Sequence, residues 1–138
     1  MSSYAIADLH LSFASSVEKP MDIYGPRWHD HAQRLHDNWC SRITDDDTVI
    51  IAGDISWGLK LEEAKPDLDW VAALPGQKVI LKGNHDLWWG SIKRLNDISE
   101  KIRFLQNDAA LIFDGDKKVS ICGTRGWICP GTDGFDEH

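Results

Sequence analysis

The amino-acid sequence predicts an α/β layer fold with a largely parallel first sheet. Short β-branched apolar runs alternate with stretches of helical periodicity, which is the pattern of consecutive β-α-β units. Later in the chain, Asp114-Gly115-Asp116 separates two further apolar runs, which indicates an antiparallel hairpin. At 138 residues the chain is expected to form one domain.

The first part of the chain supplies two strands and a helix. The apolar run at 4–7 is expected to be a buried strand, and residues 11–26 contain the Ser, Pro and Gly of a long loop. From Arg27 to Ile43 apolar residues recur at spacings of three and four, which predicts a helix. The acidic run 45–47 ends it. The β-branched run 48–52 then predicts a strand buried on both faces.

The second part continues the alternation. A helix is expected from Leu59 to Leu74, although Pro66 should delay its start or break it. Pro75-Gly76 ends this helix. The next predicted elements are a strand at 78–81, a helix that starts at Trp89 and covers 89–95 or beyond, and a short strand at 102–105. The two arms of the hairpin follow at 109–113 and 117–122.

Composition excludes several classes of function. Apolar residues make up 42% and charged residues 27%, which is ordinary for a globular protein in water. A net charge of -7 disfavours duplex nucleic acid and anionic membranes, which require a basic face. No signal peptide or membrane-spanning run is visible. The three cysteines, Cys40, Cys122 and Cys129, are interpreted as reduced thiols of a cytoplasmic protein, with a Cys122–Cys129 disulfide as the alternative.

Polar side chains follow each of the first three predicted strands. Asp8 and His10 follow the first strand, Asp54 follows the second, and Asn84 and His85 follow the third. Because the carboxyl ends of parallel strands meet at one edge of the sheet, we expect these five side chains to converge.

A metal site is the simplest explanation for this convergence. Buried carboxylates are costly without a cationic partner, and no Lys or Arg lies next to Asp8 or Asp54 in the sequence. Mixed carboxylate, imidazole and amide ligands suit Mn, Fe or Zn better than Mg. A carboxylate can also bridge two ions, an arrangement suited to phosphoryl transfer. The alternative is that these are ordinary turn residues, since Asp and Asn are common after strands.

The motifs at these strand ends resemble the signature of the calcineurin-like metallophosphoesterase superfamily. They are D-L-H at 8–10, G-D at 53–54 and G-N-H-D at 83–86, and the resemblance extends over essentially the whole chain. The flanking segments ADLHLS, GDISW and GTRGW are similar to a bacterial subgroup of predicted phosphohydrolases. The resemblance implies a layered metallophosphoesterase-like fold, in which a hairpin of a second sheet follows the parallel sheet.

The resemblance also implies a role for each residue of these motifs. Asp8 and His10 would hold the first of two divalent metal ions, Asp54 would bridge both, and Asn84 would hold the second. His85 would face the substrate, and Asp86 would orient His85. The implied activity is hydrolysis of a phosphomonoester or phosphodiester by a metal-activated water, with a small phosphoester or nucleotide as substrate.

Further residues are weaker candidates for substrate contact, each with a structural alternative. Arg125 has the bidentate geometry that recognises phosphate, but it could equally be a surface arginine. Trp57 and Trp88 could line a phosphate pocket or fill the core. His29, His31 and His36 lie on the first predicted helix, where they could contact substrate or form a solvated face.

The superfamily pattern continues beyond the motifs found here. It includes a lone histidine and a G-H-x-H motif near the C-terminus, whereas this sequence has only His138 after Cys129. We therefore expect residues 1–138 to be the N-terminal part of a single metallophosphoesterase domain, truncated at the C-terminus. A non-catalytic interaction scaffold with the same fold, an inactive fragment of the enzyme and a nuclease acting on single strands are the alternatives.

Overall fold

The computed structural model describes residues 1–124 and places the first four strands in one parallel sheet. Each strand pairs with the next along the chain, so the spatial order equals the sequence order. All four carboxyl ends therefore face one edge of the sheet. The strands are β1 (Ser3–Ile6), β2 (Thr48–Ile51), β3 (Gln77–Leu81) and β4 (Ile102–Leu105).

Helices connect these strands in the predicted order, which confirms the α/β fold. Two short 3-10 turns, Met21–Tyr24 and Pro26–Trp28, precede the first helix. None of the helices in the described part of the chain is long and apolar enough to cross a membrane. The helices are α1 (His31–Arg42), α2 (Leu61–Ala73) and α3 (Ile92–Asn96).

The predicted hairpin is confirmed as a separate antiparallel pair, β5 (Asp108–Asp114) and β6 (Lys117–Gly123). Its turn uses Gly115 at a positive φ of 59°. The Gly115 N–H donates to the carbonyl of Met1 at 3.0 Å, and the Asp114 carboxylate accepts from the Ser3 N–H at 3.0 Å. These contacts attach the hairpin turn to the start of β1.

The parallel sheet is covered on both faces. On one face, Ile51, Ile80 and Phe104 belong to the main core with the helices. On the other face, Val79 and Leu105 pack against the hairpin residues Ala110 and Ile112. This burial on both sides fixes the strands, and with them the loops that follow their carboxyl ends.

The starts of all three helices differ from the sequence prediction for local reasons. The first helix begins at His31 instead of Arg27, because Asp30 adopts a left-handed φ of 48° that a helix cannot include. The second begins at Leu61, where the Glu63 carboxylate accepts from the Lys60 N–H at 3.2 Å and satisfies a free donor at the helix start. The third begins at Ile92 instead of Trp89, because Ser91 before it has an extended backbone.

The predicted interruption at Pro66 is wrong, since α2 continues through it. Pro66 is exposed and removes one backbone donor, but Ala64, Leu68 and Val71 on the opposite face are fully buried. Burial of each larger apolar side chain contributes about 1.5–3 kcal/mol, which offsets a proline cost of about 3 kcal/mol.

The first strand is also less buried than predicted. Tyr4 and Ala5 are exposed, because β1 is an edge strand of the sheet in the described part of the chain.

Lys78 on β3 is a buried lysine, 1% exposed, at the C-terminal end of α2. Its Nζ donates to the carbonyls of Leu74, of Gly76 at 2.7 Å and of Ala72 at 3.4 Å. It therefore caps carbonyls that the helix leaves without partners. Burial, together with the nearby charge of Lys101, lowers the pKa of Lys78 to about 8.

We predict that the free energy of unfolding of the wild type, minus that of Lys78→Met, increases as pH rises from about 8 to 10.5. In this range the folded protein binds fewer protons than the unfolded chain, whose lysine titrates near 10.5. The free energy of unfolding of the wild type should therefore rise relative to the variant, by at most about 1.4 kcal/mol per pH unit. Urea unfolding of both proteins across this pH range measures the difference in free energy of unfolding. A difference that stays constant with pH would contradict the lowered pKa of Lys78.

Candidate functional site

The loops after β1 and β2 run side by side beyond the ends of the strands. Their backbones continue the parallel pairing, so the polar residues that follow each strand lie next to each other. The hydrogen bonds that do this run from Asp8 N to Gly53 O at 3.1 Å, from His10 N to Asp54 O at 2.9 Å and from Leu11 N to Ile55 O at 2.8 Å.

Three non-glycine residues in these loops have left-handed backbones. Asp8, His10 and Asp54 have φ values of 58°, 45° and 55°. This conformation costs roughly 1–2 kcal/mol per residue, so surrounding contacts must hold it in place. Strained residues that cluster at one sheet edge are typical of functional sites.

The same three residues bring their ligand atoms together. One donor atom each from Asp8, His10 and Asp54 lies within 4.8 Å of the other two, and His10 Nε2 is 3.4 Å from Asp8 Oδ1. Asp54 is buried and the His10 side chain is 12% exposed, whereas the Asp8 side chain is 61% exposed. Two carboxylates and an imidazole that open to solvent on one side fit a divalent transition-metal ion.

Asn84 lies in the same region. It lines a cleft of about 320 Å³ together with Asp8 and Asp54, and Lys82 and Thr124 form other parts of the wall. Asn84 thus borders the same cleft as the two carboxylates.

Glycine is required where the loops after β2 and β3 meet. A Cβ on Gly83 would collide with the Asp54 carboxylate and backbone nitrogen, and a Cβ on Gly53 would collide with the Gly83 backbone. Gly53 also has a positive φ of 105°. The close approach of these two loops sets the position of the Asp54 carboxylate.

Asp86 joins the same two loops through a fully buried carboxylate, 0% exposed. Burial raises the pKa of Asp86, as does the nearby Asp54 charge, while the backbone donors of Gly83, Ile55 and Asp54 partly offset this rise. The carboxylate accepts four hydrogen bonds: from Asp54 N and Gly83 N at 2.8 Å, from Ile55 N at 2.9 Å and from Trp88 Nε1 at 3.1 Å.

These bonds correct the expectation that Asp86 orients His85. Both Asp86 oxygens are occupied by the loop backbones and by Trp88, and none of these four bonds goes to the His85 ring. Asp86 instead holds the segment that carries Asp54.

A second buried carboxylate, Asp67 on α2, joins the segments that follow Asp54 and His10. It accepts from the Phe13 N–H at 2.7 Å and from the Ser56 hydroxyl. Burial raises the pKa of Asp67. Sequence analysis missed this residue, since an acidic residue on an amphipathic helix gives no signal of burial.

His85 is exposed at the mouth of the site. Its backbone N–H donates to Asp54 Oδ1 at 2.8 Å, which fixes its position relative to the candidate metal ligands. Its ring lies 5.8 Å from that of His10 and 4.8 Å from that of Trp57, measured between centroids.

Trp57 is the aromatic residue that joins the two histidines. It stacks on His10 at 4.8 Å with an interplanar angle of 20°, and Lys19 Nζ lies 5.6 Å from its ring centroid. Its indole N–H donates to the Met21 sulfur at 3.3 Å. Of the two tryptophans considered in the sequence, Trp57 is therefore the one beside the site.

Trp88 is a correction to the predicted substrate contacts. It is 3% exposed, and its ring packs against Trp89 and Phe104 in the main core. A ring buried in this way cannot touch a substrate. Arg125, the other candidate, lies outside the described residues, as do Cys129 and His138.

Comparisons with known proteins agree with these motifs. A model of the family described as calcineurin-like phosphoesterase matches residues 1–136. The chain is 36% identical to the Gene 66 protein of Mycobacterium phage D29 over 80 residues, which cover 58% of this chain and 38% of that protein. It is 40% identical to the Gene 66 protein of Mycobacterium phage L5 over 57 residues, which cover 41% of this chain and 27% of that protein. The matched segments thus cover about a third of the length of these two relatives.

One solved structure has a similar fold. A protein of unknown function from Aquifex aeolicus matches with a TM-score of 0.57 and 20% identity, covering 96% of this chain and 65% of that chain. At this identity the likeness concerns the fold alone.

We predict that Gly83→Ala destabilises the protein by about 1–3 kcal/mol and weakens its binding of Mn²⁺, because the new methyl group displaces the Asp54 carboxylate. Gly90→Ala is the matched control, since a Cβ there meets no atom within 4 Å. Urea unfolding and calorimetric titration with Mn²⁺ measure both effects. Equal behaviour of the two variants would contradict the close approach of the loops.

Proposed function

Because the chain belongs to the calcineurin-like phosphoesterase family, we propose that it hydrolyses phosphoester bonds with the help of two divalent metal ions. The observation that carries this proposal is the approach of the Asp8, His10 and Asp54 donor atoms to within 4.8 Å of one another. The substrate class is a phosphomonoester or a phosphodiester.

Each side chain of the site has a proposed role in holding the ions. Asp8 and His10 would hold the first ion, Asp54 would be shared by both, and Asn84 would hold the second. Carboxylate, imidazole and amide donors together suit Mn, Fe or Zn, and manganese is the ion we would test first. When bound, such a pair supplies an activated water at neutral pH and neutralises charge on the phosphoryl oxygens.

His85 is proposed to act on the substrate instead of on a metal ion. His85 is an exposed residue whose ring lies beside those of His10 and Trp57, and its backbone N–H is held by Asp54. The departing alkoxide needs a proton or charge stabilisation, and an imidazole supplies either near neutral pH.

Trp57 takes the positioning role that Asp86 does not fill. Its ring lies 4.8 Å from both the His10 and the His85 ring centroids, and restricts the orientations that each imidazole can adopt. Asp86 acts one step further away, by holding the Asp54 backbone.

We also propose that the protein is located in the cytoplasm. Cys40 and Cys122 are free, exposed thiols in the described residues, a state that a reducing compartment maintains.

We predict that His85→Ala, made in the full-length protein, lowers kcat by about 10²- to 10⁴-fold while the metal content stays at the wild-type level. The loss should be largest for alkyl phosphates, whose poor leaving groups need protonation, and smallest for nitrophenyl phosphates. Asp54→Ala should lose metal and activity together. His29→Ala, a 75% exposed histidine outside the site, is the matched control.

Metal analysis and paired assays on alkyl and nitrophenyl esters separate the outcomes. If His85→Ala loses its metal ions as Asp54→Ala does, His85 is a ligand. If it slows both ester types equally with metal retained, His85 stabilises phosphoryl oxygens and does not protonate the leaving group. A metal-loaded wild type that hydrolyses no phosphoester would overturn the proposed function.

A further inference from the structure

A second, larger cavity lies beside the His10 end of the candidate site. It has a volume of about 530 Å³, within the usual range of about 300–1,000 Å³ for small-molecule sites. Trp28 lines this cavity, and its ring centroid is 5.9 Å from that of His10. The cavity therefore begins next to a candidate metal ligand.

The same chain segment builds the metal site and the near wall of the cavity. His31, which also lines the cavity, has its Nε2 3.0 Å from the carbonyl of Leu9, the residue between Asp8 and His10. Because a carbonyl only accepts, His31 Nε2 carries the proton, and a neutral His31 presents Nδ1 as an acceptor. Its ring contacts Trp28 edge to face at 5.3 Å.

The far end of the cavity is also aromatic. Trp70 on α2 lies 5.5 Å from Phe13 and 6.2 Å from His36, measured between ring centroids, and all three line the cavity. His31 and His36 are five residues apart on α1, which separates the two ends by about 7.5 Å along the helix axis.

The tryptophans of the cavity differ from the other tryptophans in residues 1–124. The indole N–H groups of Trp39, Trp57, Trp88 and Trp89 each donate to a protein acceptor. Those of Trp28 and Trp70 have no acceptor within the described part of the chain, although both rings are partly buried. Both rings line the cavity, so its walls include two indoles whose N–H groups no residue of 1–124 accepts.

Acceptors are present in the same walls. Asp22 and Asp30 line the cavity and share a contact with His29. Gln33 also lines it, and its amide N–H donates to Asp37 at 2.9 Å. Flat apolar faces combined with both donors and acceptors are the chemistry that recognises a planar heterocycle with a polar edge.

We propose that this cavity binds the nucleoside part of a nucleoside phosphoester whose phosphate lies at the Asp8–His10–Asp54 cluster. The inference rests on the proposed phosphoesterase function, which it narrows to one substrate class. Trp28 and His31 border the sugar, which follows the phosphate, and the base lies one sugar further along, against the Trp70 and His36 rings that line that end of the cavity. A purely apolar group would place no polar atom against the carboxylates and indoles of these walls.

The test uses the full-length, manganese-loaded protein and two kinds of probe. Adenosine, guanosine, cytidine and uridine, which lack phosphate, are titrated by calorimetry. Hydrolysis of the four nucleoside 5′-monophosphates is compared with that of ribose 5-phosphate, which lacks the base. The variants are Trp70→Ala, Trp70→Phe and His36→Ala, and Phe113→Ala on the hairpin is the matched control, since that ring is 43% exposed and lies outside the cavity.

We expect at least one nucleoside to bind and Trp70→Ala to weaken it by roughly 5- to 100-fold, the usual loss for one stacked base. The KM of the matching monophosphate should rise by a similar factor with kcat within about twofold, because the contact is equally strong in ground and transition states. Trp70→Phe should restore part of the nucleoside affinity. Phe113→Ala should bind nucleosides as the wild type does, and Trp70→Ala should leave the KM for ribose 5-phosphate unchanged.

Failure of the inference and failure of the proposed function give different results. If no nucleoside binds and ribose 5-phosphate is hydrolysed as well as the monophosphates, the nucleoside assignment is wrong and the phosphoesterase stands. If a nucleoside binds through Trp70 but no ester is hydrolysed, the phosphoesterase function is wrong and the nucleoside site stands. Should Trp70→Ala not fold, unchanged nucleoside affinity in both Trp70→Phe and His36→Ala overturns the assignment.

Discussion

The site depends on the buried carboxylate of Asp86. Its four hydrogen bonds hold the backbones of Asp54, Ile55 and Gly83, so that one side chain joins the loops after β2 and β3. Each donor that lost this partner would cost about 1–3 kcal/mol, because it would remain buried without an acceptor. Burial of an ionised carboxylate costs far more than burial of a neutral polar group, and only a complete set of donors offsets that cost. The position of the Asp54 side chain follows from this arrangement.

The rest of the fold keeps that arrangement rigid. Asp8, His10 and Asp54 all adopt strained left-handed backbones, and such strain persists only where the surroundings hold it. The sheet supplies this support, since helices cover one face and the β5–β6 hairpin covers the other. Asp67 adds a second tie behind the loops, through Phe13 and Ser56.

Aromatic residues connect the candidate metal ligands to the larger cavity. Trp57 stacks on His10 and borders His85, and Trp28 borders both His10 and the cavity. A phosphoester would thus have its phosphate among carboxylates and imidazoles, and its organic group among indole rings. The division is physical: the charged part of a substrate is recognised by metal ions and polar donors, and the flat part by ring faces.

Local patterns in the sequence predicted the order of elements along the chain, the hairpin and the meeting of Asp8, His10 and Asp54, because apolar periodicity and turn residues are local signals. Strand β4 begins and ends where its apolar run does, and parallel connections then bring the residues after β1 and β2 to one edge. Tertiary structure decided the partners of Asp86, the burial of Trp88, the exposure of β1 and the tryptophans around His10. These depend on contacts between segments far apart in the chain, such as the bond from Asp86 to the backbone of Asp54, 32 residues away, which no local pattern encodes.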